Sequence, residues 1–259
     1  MSSTPNLLPA FSGASIEEKA DLIQSFYEKV IFHESGIMYS MMKIDDGNVR
    51  PFEPRDFKGI DTFNFEGWRI KPKGAWEYRN NENSITTSGI YLAAQTSRYL
   101  ATGDEEAMDQ ALKAFRSLEL IYQFGVDDGR PGWMGKPYGF RLSDQTSGDQ
   151  YLDATWGLFS FLEIAPGKEA KKAKEMLIGF ADYWRKIDYT IFYLSITWSN
   201  KNEEHAYNAI FMAINLIAYH LTGDPVYKAE ADRFQSISRW KTESGIDAWK
   251  RKLLSGETV

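Results

Sequence analysis

The residues best suited to chemistry crowd into one stretch, Gly132–Asp153, where Trp133, Tyr138, Arg141, Asp144, Asp149 and Asp153 fall within a few turns of chain. Cleavage of a glycosidic bond needs two carboxyls, one protonated to assist the leaving oxygen and one ionised. Aromatic walls raise the pKa of the acid by desolvation. Asp144 and Asp149 are the candidate acid/base pair. Asp149 and Asp153 stand one helical turn apart, on one face if both are helical. Arg141 could hold a sugar carboxylate through a two-pronged contact. Trp133, Tyr138 and, further along, Trp198 offer flat faces for sugar rings. His205 and Glu82, each just before an apolar helical stretch, are further candidates for substrate contact.

Each of these residues also has a plainer role open to it. Asp149 or Ser147 could cap the helix that begins near Gln150, and Asp144 could close an Asx-turn. Asp153 could be a buried polar residue bonded to a loop amide. Trp133 could be loop packing against Trp198. His205 could be a cap or a hydrogen-bonded core residue. Glu82 and Asn83 fit capping of the first apolar helix better than binding.

A recurring helix–turn–helix positions these residues. Tyr99-Leu100-Ala101-Thr102-Gly103-Asp104 closes one apolar helix and opens an amphipathic one, and His220-Leu221-Thr222-Gly223-Asp224 repeats the phrase. Ala165-Pro166-Gly167-Lys168 occupies the same place between them, so glycines 103, 167 and 223 mark a unit of about sixty residues. Glycine takes the left-handed conformation past a helix end, and aspartate caps the next helix.

The two helices of each unit differ. Residues 83–102, 151–165 and 206–222 are apolar or small on nearly every face, as buried helices are. Their partners carry one apolar stripe each, for instance Met108, Ala111, Leu112, Phe115, Leu118 and Tyr122. An amphipathic helix over 15–32 precedes them. The pattern predicts a single all-α domain over residues 1–259, an array of antiparallel helical hairpins with an inner and an outer layer. Short TGD turns lie on one face. Long connections (34–82, 123–150 and 190–204) lie on the other, with short strands in 34–82, and long aromatic loops collected on one face are where a site is expected.

Composition excludes several classes. The chain has 259 residues, no cysteine, three histidines and a net charge of −6. Thiolate zinc sites and cysteine nucleophiles are ruled out, and the three histidines lie in separate segments, so no metal or cofactor is expected. An acidic chain without a basic stripe is not expected to bind nucleic acid. No apolar run of about 18 residues would span a membrane. As written the chain reads as cytoplasmic, or as periplasmic or secreted if a leader has been removed.

With Glu82-Asn83 leading into the first inner helix, the TGD turns, and Ser143-Asp144-Gln145-x-Ser147-Gly148 leading into the helix of Trp156-Gly157, the chain resembles the six-hairpin glycosidase superfamily of α/α toroids over roughly residues 75–240. The nearest likeness is to unsaturated glucuronyl hydrolases and related glycoside hydrolases and polysaccharide lyases. The resemblance implies an aspartate general acid and base just before an inner helix, matched here by Asp144 or Asp149. The histidine–aspartate pair of those hydrolases has no match, because Glu82-Asn83 stands there. The leading expectation is a glycoside hydrolase acting on a uronate-containing or other oligosaccharide. A lyase is the alternative, with Tyr138 or His205 as base and Arg141 as the neutralising cation, and a non-catalytic module binding glycan or protein is a third. A closed ring of six hairpins would need about 350 residues, so the ring is incomplete. An apolar contact surface near Phe211, Ile214 and Leu216, for a second copy or a missing C-terminal domain, is expected at its open edge, beyond a short helix over 246–254.

Overall fold

The computed structural model describes residues 13–45, 47–60, 65, 67–193, 196–199 and 207–237, with the backbone alone at 196, 198 and 199. It is 65% helix and 6% strand, which places it in the all-α class. Its elements are α1 (Ile16–Phe26, extended by a wider turn over Tyr27–Ile31), β1 (Lys43–Asp45), β2 (Asn48–Arg50), α2 (Ala75–Asn81), α3 (Ser84–Thr102), α4 (Glu105–Asp127), α5 (Gly148–Phe161), α6 (Gly167–Lys186), β3 (Thr190–Tyr193), β4 (Ile196–Ser199), α7 (Tyr207–Thr222) and α8 (Pro225–Ile237). Among the described residues no helix is long and apolar enough to cross a membrane.

Local chemistry sets the helix ends. Ser15 and Glu18 close a reciprocal capping box at the start of α1, each side chain bonding the other's backbone N–H. The two TGD turns are the same structure made twice. Gly103 takes φ 66° and Gly223 φ 73°, each donating its N–H to the carbonyl four residues back. Asp104 then caps α4 through the Glu106 N–H, and Asp224 caps α8 through the Val226 N–H. The middle junction departs from the expected repeat. α5 begins at Gly148 and ends at Phe161, tighter turns carry the chain to Ala165, and Gly167 is the first residue of α6 rather than a left-handed terminator. Pro166 breaks the helix there without a left-handed residue.

The inner helices α3, α5 and α7 lie side by side, and α4, α6 and α8 cover them from one side. An aromatic seam runs between the layers: Phe115 on Phe161, Tyr151 on Phe180 and Trp184, Trp184 on Phe211, Phe211 on Phe234, at centroid separations of 4.9–5.6 Å. α3 and α5 meet backbone to backbone. A Cβ on Gly89 would lie 2.3 Å from the Asp153 carbonyl oxygen, and one on Gly157 2.4 Å from that of Gly89.

Three expectations need correction. The inner helices are not buried all round, because α5 exposes Leu152, Trp156 and Phe159 and α7 exposes Leu216 and Tyr219. Phe211 and Ile214 are fully covered by α6, α8 and the seam, so of the three residues expected at an open edge only Leu216 is exposed. The long connections also hold more structure than loops: α2 lies in the first, and the β3–β4 hairpin, with Ile191 opposite Trp198, lies in the third. The strand expected in 34–82 is present as the β1–β2 hairpin. The expected helix over 246–254 lies outside the described residues.

Candidate functional site at the mouths of the inner helices

The N-terminal ends of the three inner helices come together. The Gln150 side-chain amide, in the first turn of α5, donates to Asn83 Oδ1 at the start of α3 at 2.9 Å. The Tyr207 hydroxyl, first residue of α7, donates to Asp149 Oδ1 at 3.3 Å, and its ring lies against Gly148, where a Cβ would come within 2.8 Å. Helix N-termini present unpaired N–H groups and the positive ends of their dipoles. Neither Asn83 nor Ser147, the residues at the cap positions, makes a side-chain cap bond.

Asp144 sits in the loop leading into α5. Its Oδ2 accepts the Arg69 backbone N–H at 2.9 Å, whereas its Oδ1 is buried and has no partner among the described residues. Ser147 Oγ and Gln150 Oε1 are in the same condition. Asp149 is exposed in the first turn of α5 and is not its cap. One turn on, burial pushes the Asp153 carboxyl above its ordinary range; the charge of Asp149 adds to this and a bond with Thr86 opposes it.

A second cluster centres on Glu82, between α2 and α3. Its carboxylate accepts from the Lys136 ammonium and from the hydroxyls of Tyr138 and Tyr193. Tyr193 in turn meets the Tyr78 hydroxyl at 3.2 Å. Glu82 is 7% exposed, Lys136 2% and Tyr138 1%, so this is a buried ion pair. Trp68 and Tyr78 sandwich the Tyr138 ring at 5.9 and 5.2 Å. Burial, reinforced by the Glu82 charge, drives the phenols of Tyr138 and Tyr193 far above their ordinary pKa, so both stay protonated donors.

The expected residues therefore divide. Asp144 and Asp149 stand at the mouth. Glu82 is no cap: its carboxylate turns inward, because Lys136 gives it an opposite charge there. Tyr138 is buried beneath it rather than open to a ligand. Arg141 is engaged by Glu77, Nη1 to Oε1 at 3.1 Å and Nη2 to Oε2 at 2.6 Å. Burial pushes the Glu77 carboxyl up, but bonds from Arg141 and the Lys73 N–H outweigh it and hold it below the usual range. Trp133 is loop packing, against Tyr183 and the Arg130 guanidinium, with its indole N–H on the Ser143 carbonyl. The Trp198 side chain and His205 lie outside the described residues. Lys136 and Tyr193 escaped the sequence reading. A lone lysine inside the aromatic, glycine-rich run Trp133-Met-Gly-Lys-Pro-Tyr was the available signal for the first; nothing local marks the second.

Among the described residues no group of three or more His, Asp or Glu is placed to hold a metal ion. No family model, curated protein or solved structure matches this chain.

Proposed function

We propose that the chain is a glycoside hydrolase whose three inner–outer helix pairs form an arc of an α/α toroid, with Asp144 and Asp149 as its acid/base carboxyls. The observation that carries the reading is Asp144: one carboxyl oxygen is oriented by a backbone N–H, and the other is buried without a partner at the converging helix mouths. A carboxyl fixed through one oxygen keeps the other for proton exchange with a glycosidic oxygen. Asp149, exposed at the N-terminal end of α5, supplies the second carboxyl.

Elimination is the weaker reading. A lyase base must lose its proton, and Tyr138 is buried as a neutral donor to Glu82. A lyase also needs a free cation on the substrate carboxylate, and Arg141 is held by Glu77. The exposed stripe of Leu152, Trp156, Phe159, Leu216 and Tyr219 is the surface such an arc leaves for a cover, either a second copy or a further domain.

Product analysis tests the proposal. Incubation with a panel of oligosaccharides should release new reducing ends, and Asp144→Asn should abolish that release. Products bearing a carbon–carbon double bond, seen by ultraviolet absorbance, would replace hydrolysis with elimination. No turnover on any member would leave a binding module.

A further inference from the structure

The polar atoms at the mouth of α5 are unbalanced in a way that selects a ligand. Gln150 is fully buried; its amide nitrogen reaches across to Asn83, and its Oε1 has no partner among the described residues. Ser147 is 5% exposed and its Oγ is likewise unpaired, as is Asp144 Oδ1. Buried polar atoms are nearly always hydrogen-bonded in a finished structure, so three orphans within seven residues mark a place where partners come from outside. An amide oxygen accepts only, while a serine hydroxyl and the oxygen of an acid/base carboxyl each accept or, when protonated, donate. Gln150 Oε1 calls for a donor, and sugar hydroxyls, which both donate and accept, satisfy all three.

Charge at the same mouth points the same way. Asp144, Asp149 and Asp153 contribute three carboxyls within ten residues of chain, the last two a helical turn apart on α5. The cations bonded into this region are already taken: Arg141 by Glu77, Lys136 by Glu82, and the Arg69 guanidinium by Asp128. A uronate would bring a further carboxyl to this carboxyl-rich mouth, and no guanidinium bonded there among the described residues is free to meet it.

We infer that the site takes a neutral oligosaccharide, whose hydroxyls pair with Asp144 Oδ1, Ser147 Oγ and Gln150 Oε1, and that it rejects uronate-bearing sugars. The inference rests on the carbohydrate reading above and names the substrate class of that site. A site built to pair a ligand's hydroxyls discriminates strongly against ligands that leave those groups unpaired.

Isothermal titration of the full chain tests it, with neutral β-1,4-linked oligomers of glucose, mannose and xylose as one set of probes and oligogalacturonate as the other. At least one neutral oligomer should bind ten-fold or more tighter than oligogalacturonate. Ser147→Ala should weaken that binding several-fold, and Asp149→Asn, an exposed change, should narrow the gap by admitting the uronate. Tighter binding of oligogalacturonate overturns the inference and leaves the carbohydrate reading standing. Neutral binding that neither variant changes moves the site elsewhere and overturns the assignment. No binding by any oligosaccharide removes the carbohydrate reading, and the inference falls with it.

Discussion

Two polar clusters lie at the same end of the inner helices, one around Glu82 and one around Asp144, and they differ in how completely their hydrogen bonds are made. Glu82 receives three donors from two separate segments, one of them a buried ammonium. Among the described residues, Asp144 Oδ1, Ser147 Oγ and Gln150 Oε1 have no partner. Burying a charge costs several kcal/mol unless it is paired and bonded. The Glu82 cluster is therefore a joint that fixes the loop around Lys136 and the β3–β4 hairpin to the start of α3. The Asp144 cluster is unfinished as structure, which is what a binding site in the free protein requires. The turn between them, at Gly139 and Phe140, holds both residues at φ 62°, with Phe140 stacked on His33 at 3.6 Å. A left-handed phenylalanine persists only where its surroundings fix it.

This contrast can be broken most forcefully at the joint. Lys136→Met leaves a buried carboxylate unpaired and should cost about 3–5 kcal/mol of stability in urea unfolding. Glu82→Leu in the same chain should recover much of it. A single variant as stable as the parent would mean that the pair is not a joint. At the other cluster the effect should fall on activity. Asp144→Asn should lower turnover by about 10²-fold or more with little change in melting temperature, since an asparagine oxygen can still accept the Arg69 N–H. A large drop in melting temperature would make Asp144 a structural residue.

The spacing between the clusters depends on the α3–α5 crossing. Gly89→Ala drives a Cβ into the Asp153 carbonyl and should cost about 1–3 kcal/mol. A neutral result in thermal unfolding would show that the two helices are free to part.

The smallest expected effect is electrostatic. The Asp153 carboxyl is pushed up in the folded protein, first by burial and then by Asp149. A group with a raised folded pKa contributes stability below its unfolded pKa and loses it as pH rises through the folded one. Asp153→Asn should therefore be more stable than the parent at pH 7, with the advantage fading as pH falls below the carboxylate range. The same advantage at both pH values in urea melts would refute the electrostatic origin.

Much of the helical array was legible in the chain. Gly103-Asp104 and Gly223-Asp224 signal a helix end and a cap by residue type alone, and both turns form as read. The stripe of Phe115, Leu118 and Tyr122 is buried, as its spacing requires. The middle junction misled, because Pro-Gly ends a helix by more than one route. Apolar faces also misled, because composition says that Leu152, Trp156 and Phe159 are apolar but not whether a neighbour covers them.

The sequence by itself determined the alternation of inner and outer helices and the crowding of carboxyls before α5, because caps, turns and periodicity are local properties of the chain. Only the tertiary structure decided which of those polar residues are free. Arg141 and Glu77 are 64 residues apart, Lys136 and Glu82 54, and Tyr193 and Glu82 111. No local pattern encodes such pairings. They arise when the packed helices bring distant segments within hydrogen-bonding reach, and a buried charge must then find its partner there.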